Sequence, residues 1–183
     1  MRNHSLRIFL ILFSTLILYF NVGYLDDFRN TIEIYFGLLL LLYALYGYLI
    51  SLVLRDSLPK KISFSSFLII GILFRLILIP SEPVLSDDIY RYLWDGKISA
   101  AGINPYAYAP DNVNLSEFRD ERVYPQINFP GIATVYPPVS QFFFLINHWL
   151  GGTVFTWKML LLVVETLFVV LLLKLLQDHQ QTL

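Results

Sequence analysis

The residues best suited to chemistry are an acidic pair, Asp87-Asp88, followed at helical spacing by Arg91 and Asp95. Ser86 is a suitable N-cap, and the segment after it can be helical as far as Ala101. On that helix Asp87, Arg91 and Asp95 share one face. A hydroxyl is a poor nucleophile until its proton has somewhere to go, and a carboxylate can take it. A leaving phosphate needs positive charge, for which Arg75, Arg91 and Lys158 are the candidates. The pair comes shortly after an apolar run that ends at Pro80, so it sits at a bilayer surface. Carboxylates beside cations there suit transfer from a lipid-linked phosphate donor. Each residue also has a plainer role. Acids in a first turn complement the helix dipole, which lowers their pKa and makes them weaker bases. Arg91 can pair along the helix with Asp87 or Asp95. Arg75 and Lys158 can snorkel to the interface.

Two further residues stand out. Glu165 lies inside a long apolar run, where acids are rare and ordinarily face protein or a cavity. It is expected to be shielded from lipid, with a structural role ahead of a catalytic one. Tyr136 is a candidate substrate contact, although aromatic residues also line membrane interfaces by default.

The elements that carry these residues are set by composition. Of 183 residues, 56% are hydrophobic and only 15% charged, against about 25% charged in an ordinary soluble domain. A domain of this size cannot bury so much apolar surface, which excludes a soluble monomer, a disordered chain and a coiled coil. The net charge of −1 gives no basic excess, so no nucleic-acid partner is expected. The absence of cysteine excludes disulfides, thiolate metal sites and a Cys nucleophile, and the three His have no metal-ligand spacing. No cofactor is named by the sequence, and a divalent cation stays open.

An all-α integral membrane protein follows, with about four transmembrane helices: Ile8–Leu25, Ile32–Leu54, Ser63–Pro80 and Val154–Leu176. Residues 1–61 then form two N-terminal spans. Residues 62–183 form a second module, with spans 63–80 and 154–176 around a loop, 81–153. Pro137 to Leu150 is too short to span and reads as a juxtamembrane helix, opened by Pro137-Pro138 and ended by Gly151-Gly152. Counting it as a fifth span would reverse the C-terminal end. Arg2, Arg7, Arg55, Lys60 and Lys61 fall on one side, against Arg29 beside Asp26 and Asp27 on the other. This places the N-terminus in the cytoplasm and the loop outside, in a multi-pass cell-membrane protein. Ile89, Leu93 and Trp94 lie off the acidic face and are expected to sink into the membrane interface.

SDDIYRYLWDGKISAAGINPYAYAP, then INFPGIATVYPP and a final helix beginning near WKMLL, resembles the N-terminal part of GT-C membrane glycosyltransferases. The closest likeness is to polyprenyl-phosphate-mannose-dependent mannosyltransferases. The resemblance covers roughly residues 70–176 and implies a partial GT-C fold, with an acidic loop motif, juxtamembrane helices and a Pro-Pro segment. It implies that an Asp of Asp87-Asp88 is the general base, with Asp87 preferred for its distance to Gly102 and Asp88 close behind. The lipid phosphate leaves, so inversion is expected. The implied partners are a polyprenyl-phosphate sugar donor, with mannose the first choice, a glycan or glycolipid acceptor, and the lipid bilayer. GT-C enzymes normally have eight or more spans. This chain is therefore expected to be a fragment, with the remaining helices supplied by the rest of a longer chain or by a partner.

The leading expectation is thus a membrane hexosyltransferase. The alternative is a non-catalytic membrane subunit or scaffold that binds lipid or a partner. A small transporter using Glu165 and Arg75 comes last, because it leaves the long loop unexplained.

Overall fold

The computed structural model describes residues 2–25, 31–55 and 64–181. Among them every regular element is helical. The chain divides into two compact units, Met1–Glu82 and Pro83–Leu183.

The first unit holds α1 (Arg2–Gly23), α2 (Ile32–Leu54) and α3 (Phe64–Leu78). α1 packs against both others. Tyr19 stacks on Phe74 with ring centroids 5.3 Å apart, and the Tyr24 hydroxyl donates to the Ile77 carbonyl at 3.3 Å. Large apolar side chains point outward: Leu40, Tyr43 and Leu54 are each more than two-thirds exposed. Such surface is stable only against lipid or another protein.

The second unit holds α4 (Asp88–Ala100), α5 (Pro138–Trp149) and α6 (Val154–Gln181), with 3-10 turns at Val113–Phe118 and Tyr124–Gln126. Among the described residues three helices are long and apolar enough to cross a membrane, at Leu6–Gly23, Ile32–Leu54 and Val154–Leu176, so the chain is an all-α membrane protein. The count is three where the sequence predicts about four. The remaining segment, 63–80, is realised as α3, which has 15 residues. At 1.5 Å per residue it covers about 22 Å of a hydrocarbon core about 30 Å thick. Ser63 lies outside the described residues. So do Asp26, Asp27, Arg29, Lys60 and Lys61, on which the expected orientation rests.

The loop between α3 and α6 is an ordered body with its own core. Trp94 and Ile98 of α4 meet Leu115 and Ile127 from the 3-10 region, with Phe118 and Tyr124 packed around them. This corrects the expectation for Ile89, Leu93 and Trp94. All three are buried inside the protein, Trp94 being only 1% exposed, because the chain after Gly102 folds back over the Trp94 face of α4. Gly102 ends the helix with φ +77°, a conformation glycine adopts without strain. The Asn104 side chain and carbonyl then accept from Tyr106 and Ala107 N–H, both at 3.0 Å, closing the turn expected at Asn104-Pro105.

A salt bridge of 2.8 Å from Lys97 to Asp120 pins the returning chain to α4. Burial alone would raise the Asp120 pKa. The Lys97 hydrogen bond, the Val123 and Arg122 backbone N–H groups and the Lys97 charge outweigh it and hold the carboxyl below its ordinary value.

α4 and α5 form the most extensive helix contact in the chain. Gly96 permits it, since a side chain there would run into the Phe144 backbone carbonyl. α5 ends at Gly151 and Gly152, both with positive φ.

Candidate active site

The start of α4 brings the acidic pair into the folded loop. Ser86, expected as the N-cap, lies one residue before that position, and its Oγ accepts from the Asp88 backbone N–H at 3.2 Å. Asp87 occupies the N-cap position with φ −80° and ψ −2°, and its side chain makes no capping hydrogen bond. Asp88 is half-buried. Its Oδ1 accepts from Asn128 Nδ2 at 3.3 Å.

Tyr136 is a second neighbour of Asp88. Burial pushes the phenol pKa far up, and Tyr92 and Asp88 raise it further through charge and hydrogen bonding. A phenol held this way keeps its proton. The Tyr136 carbonyl accepts from the Tyr106 hydroxyl at 2.5 Å, which ties the YPP segment to the turn after Gly102.

Beside Tyr136 lies a cavity of about 290 Å³. One wall is an aromatic group. Tyr92 lies flat on Phe144, with centroids 4.6 Å apart and planes 9° from parallel. It meets Tyr136 edge-on at 4.9 Å and Trp157 at 5.5 Å. Ser140 and Phe143 of α5 complete that side, and Leu161 and Val164 of α6 extend it. Trp157, Leu161 and Val164 recur at helical spacing and form one stripe. The cavity therefore runs from Tyr136 to the apolar surface of a membrane-spanning helix.

Arg91 is turned away from this opening. Its Nε donates to Asp95 Oδ1 at 2.8 Å and its Nη1 to the Ile132 carbonyl at 2.8 Å, and the residue is only 6% exposed. Gln141 Nε2 donates to both Asp95 Oδ2 and Thr134 Oγ1, each at 2.9 Å. This buried set locks α4, α5 and loop residues 132–134 together. Arg91 thus holds the site's frame through the ion pair with Asp95, one of the two plainer roles open to it.

The other sequence candidates lie on α3 and α6. Arg75 belongs to the first unit, where its Nη1 donates to the Gly71 carbonyl at 3.0 Å. Lys158 follows Trp157 at the start of α6 and is half-buried. Glu165, expected to be shielded, has an exposed side chain on α6, inside the span Val154–Leu176. Among the described residues no three His, Asp or Glu side chains gather as a metal site.

Asn128, Tyr92 and Gln141 are absent from the expected site. Asn128 stands in INFPGIATVYPP, and no local spacing joins it to Asp88 across 40 residues.

A family model described as alpha-(1->6)-mannopyranosyltransferase, N-terminal domain, matches residues 21–179. No curated protein and no solved structure matches the chain.

Proposed function

The chain belongs to the alpha-(1->6)-mannopyranosyltransferase N-terminal domain family, and on that premise we propose that it serves GT-C-type transfer of mannose from a polyprenyl-phosphate donor to an extracytoplasmic acceptor. The observation that carries this reading is the position of Asp88. Its carboxylate accepts from Asn128 and lies close enough to Tyr136 to raise that phenol's pKa, and Tyr136 lines an apolar cavity that continues along a membrane-spanning helix. That combination suits a substrate with a hydrocarbon tail and a polar reacting end.

In the proposed reaction Asp88 takes the proton from the acceptor hydroxyl as that oxygen attacks the anomeric carbon. The bond from that carbon to the phosphate oxygen breaks, and the lipid phosphate leaves with the bonding electrons. Attack opposite the leaving group inverts the anomeric centre. Asn128 fixes the carboxylate, so the base is positioned before substrate arrives. Tyr92, Tyr136, Phe144 and Trp157 offer apolar surface to the first part of the lipid, with the Tyr92 and Tyr136 hydroxyls near its polar end. Lys158 is the second unit's candidate cation for the phosphate.

Asp88 is taken as the base because Asn128, donating to it at 3.3 Å, would hold a reacting carboxylate in one orientation. The test is transfer of labelled mannose in membranes containing the full-length protein. Polyprenyl-phosphate-mannose should support it and a water-soluble nucleotide sugar should not.

A further inference from the structure

Phe129 is the one non-glycine residue with positive φ among the described residues, at +54°. Its ring is 72% exposed. A bulky side chain in the left-handed region is strained, and this ring recovers nothing through burial. The turn is held by hydrogen bonds on both sides. Ile132 N–H donates to the Phe129 carbonyl and Asp111 N–H to the Pro130 carbonyl, each at 3.1 Å. Strain so enforced is a pointer to function.

The same turn carries contacts to two acids. Its chain neighbour Asn128 donates to Asp88. Two residues on, a side chain at Gly131 would meet Asp111 Oδ2 at 3.2 Å, so the Asp111 carboxylate rests against the same turn. The exposed Phe129 therefore belongs to a turn that touches two acids, Asp88 through Asn128 and Asp111 at Gly131.

A pyranose has a C–H face, which stacks on an aromatic ring through dispersion and weak C–H contacts. Its rim of hydroxyls donates to carboxylates. Resting on the transfer reading above, we propose that Phe129 is the stacking platform for the acceptor sugar. It holds that sugar so that one hydroxyl reaches Asp88, while Asp111 accepts from another. A bilayer is the poorer occupant, because the Asp111 carboxylate would have to follow the ring toward hydrocarbon.

Two measurements test this. The first is transfer in membranes containing the full-length protein, with α-(1→6)-mannobiose as the acceptor probe. Phe129→Asn removes the ring but suits the left-handed backbone. It should raise the acceptor KM about tenfold, with the donor KM unchanged, in line with the loss of one aromatic contact. Phe129→Tyr and Phe129→Trp should stay within about threefold of the parent, because they keep the ring. An unchanged acceptor KM in Phe129→Asn, with transfer intact, overturns the platform and leaves the transfer reading standing.

The second measurement needs no turnover. The Phe129→Trp protein should show a saturable fluorescence change with mannobiose that the parent lacks. That signal in a protein that transfers no mannose would support the platform and sink the transfer reading. Quenching by brominated lipids, with no response to mannobiose, would assign the ring to the bilayer and overturn the proposal.

Discussion

Asn128 Nδ2 stands 3.3 Å from Asp88 Oδ1, joining positions 40 residues apart. The contact links the first turn of α4 to the segment that leads into the YPP motif and α5. It gives one member of the acidic pair a fixed orientation.

Asn128→Ala should therefore lower kcat about tenfold and leave the donor KM unchanged, since a hydrogen bond to a charged group contributes about 1.5–3 kcal/mol and this one is long. Asn128→Asp should lose more, because a second carboxylate beside Asp88 disfavours the charged base. Steady-state transfer kinetics check both. A parent-like kcat in Asn128→Ala would show that the contact does not position the base.

Gly96→Ala should destabilise the second unit, because the new methyl would run into the Phe144 backbone carbonyl. Overpacking of this kind costs about 1–3 kcal/mol, and here backbone must move. Gly37→Ala in α2 is the control, having no atom within 4 Å of the added carbon. It should be neutral or gain up to about 1 kcal/mol of helix propensity. Thermal unfolding in detergent separates the two. Equal Tm values would mean that α4 and α5 do not approach each other this closely.

Asp120→Asn should change how stability depends on pH. The Asp120 pKa is held below the ordinary 3.8, so its contribution is present above about pH 4 and fades as acid protonates the folded carboxylate. Asp120→Asn should lower Tm at pH 6, and the gap should narrow toward pH 3. A gap of constant size across that range would show that the loss has another origin than the Lys97 pair.

The membrane helices were legible from runs of apolar residues alone. Ile32–Leu54 is bounded in the structure as read from the sequence. α5 was legible from its terminal Pro-Pro and Gly-Gly punctuation. The fate of Trp94 was not. An apolar face on a short helix can meet lipid or protein, and only the returning Leu115 and Ile127 decide it. Asp87 and Asp88 were visible as a pair, but their distinction depends on Asn128 and Tyr136, brought in by the fold from far along the chain. The Arg91–Asp95 pair was readable from four-residue spacing, whereas Gln141 as its partner was not.

The most direct measurement is mannose transfer from polyprenyl-phosphate-mannose by Asp88→Asn and Asp87→Asn, compared with the parent in membranes containing the full-length protein. Removing a general base costs about 10²–10⁴-fold in rate, or about 3–5.5 kcal/mol of barrier. Removing only a dipole-complementing charge costs about 0.3–1 kcal/mol of stability and little rate. Asp88→Asn should lose at least a hundredfold in kcat with folding and donor binding kept, and Asp87→Asn should lose less than tenfold. Near-normal transfer by Asp88→Asn would contradict the account, and a large loss confined to Asp87→Asn would move the base to that residue.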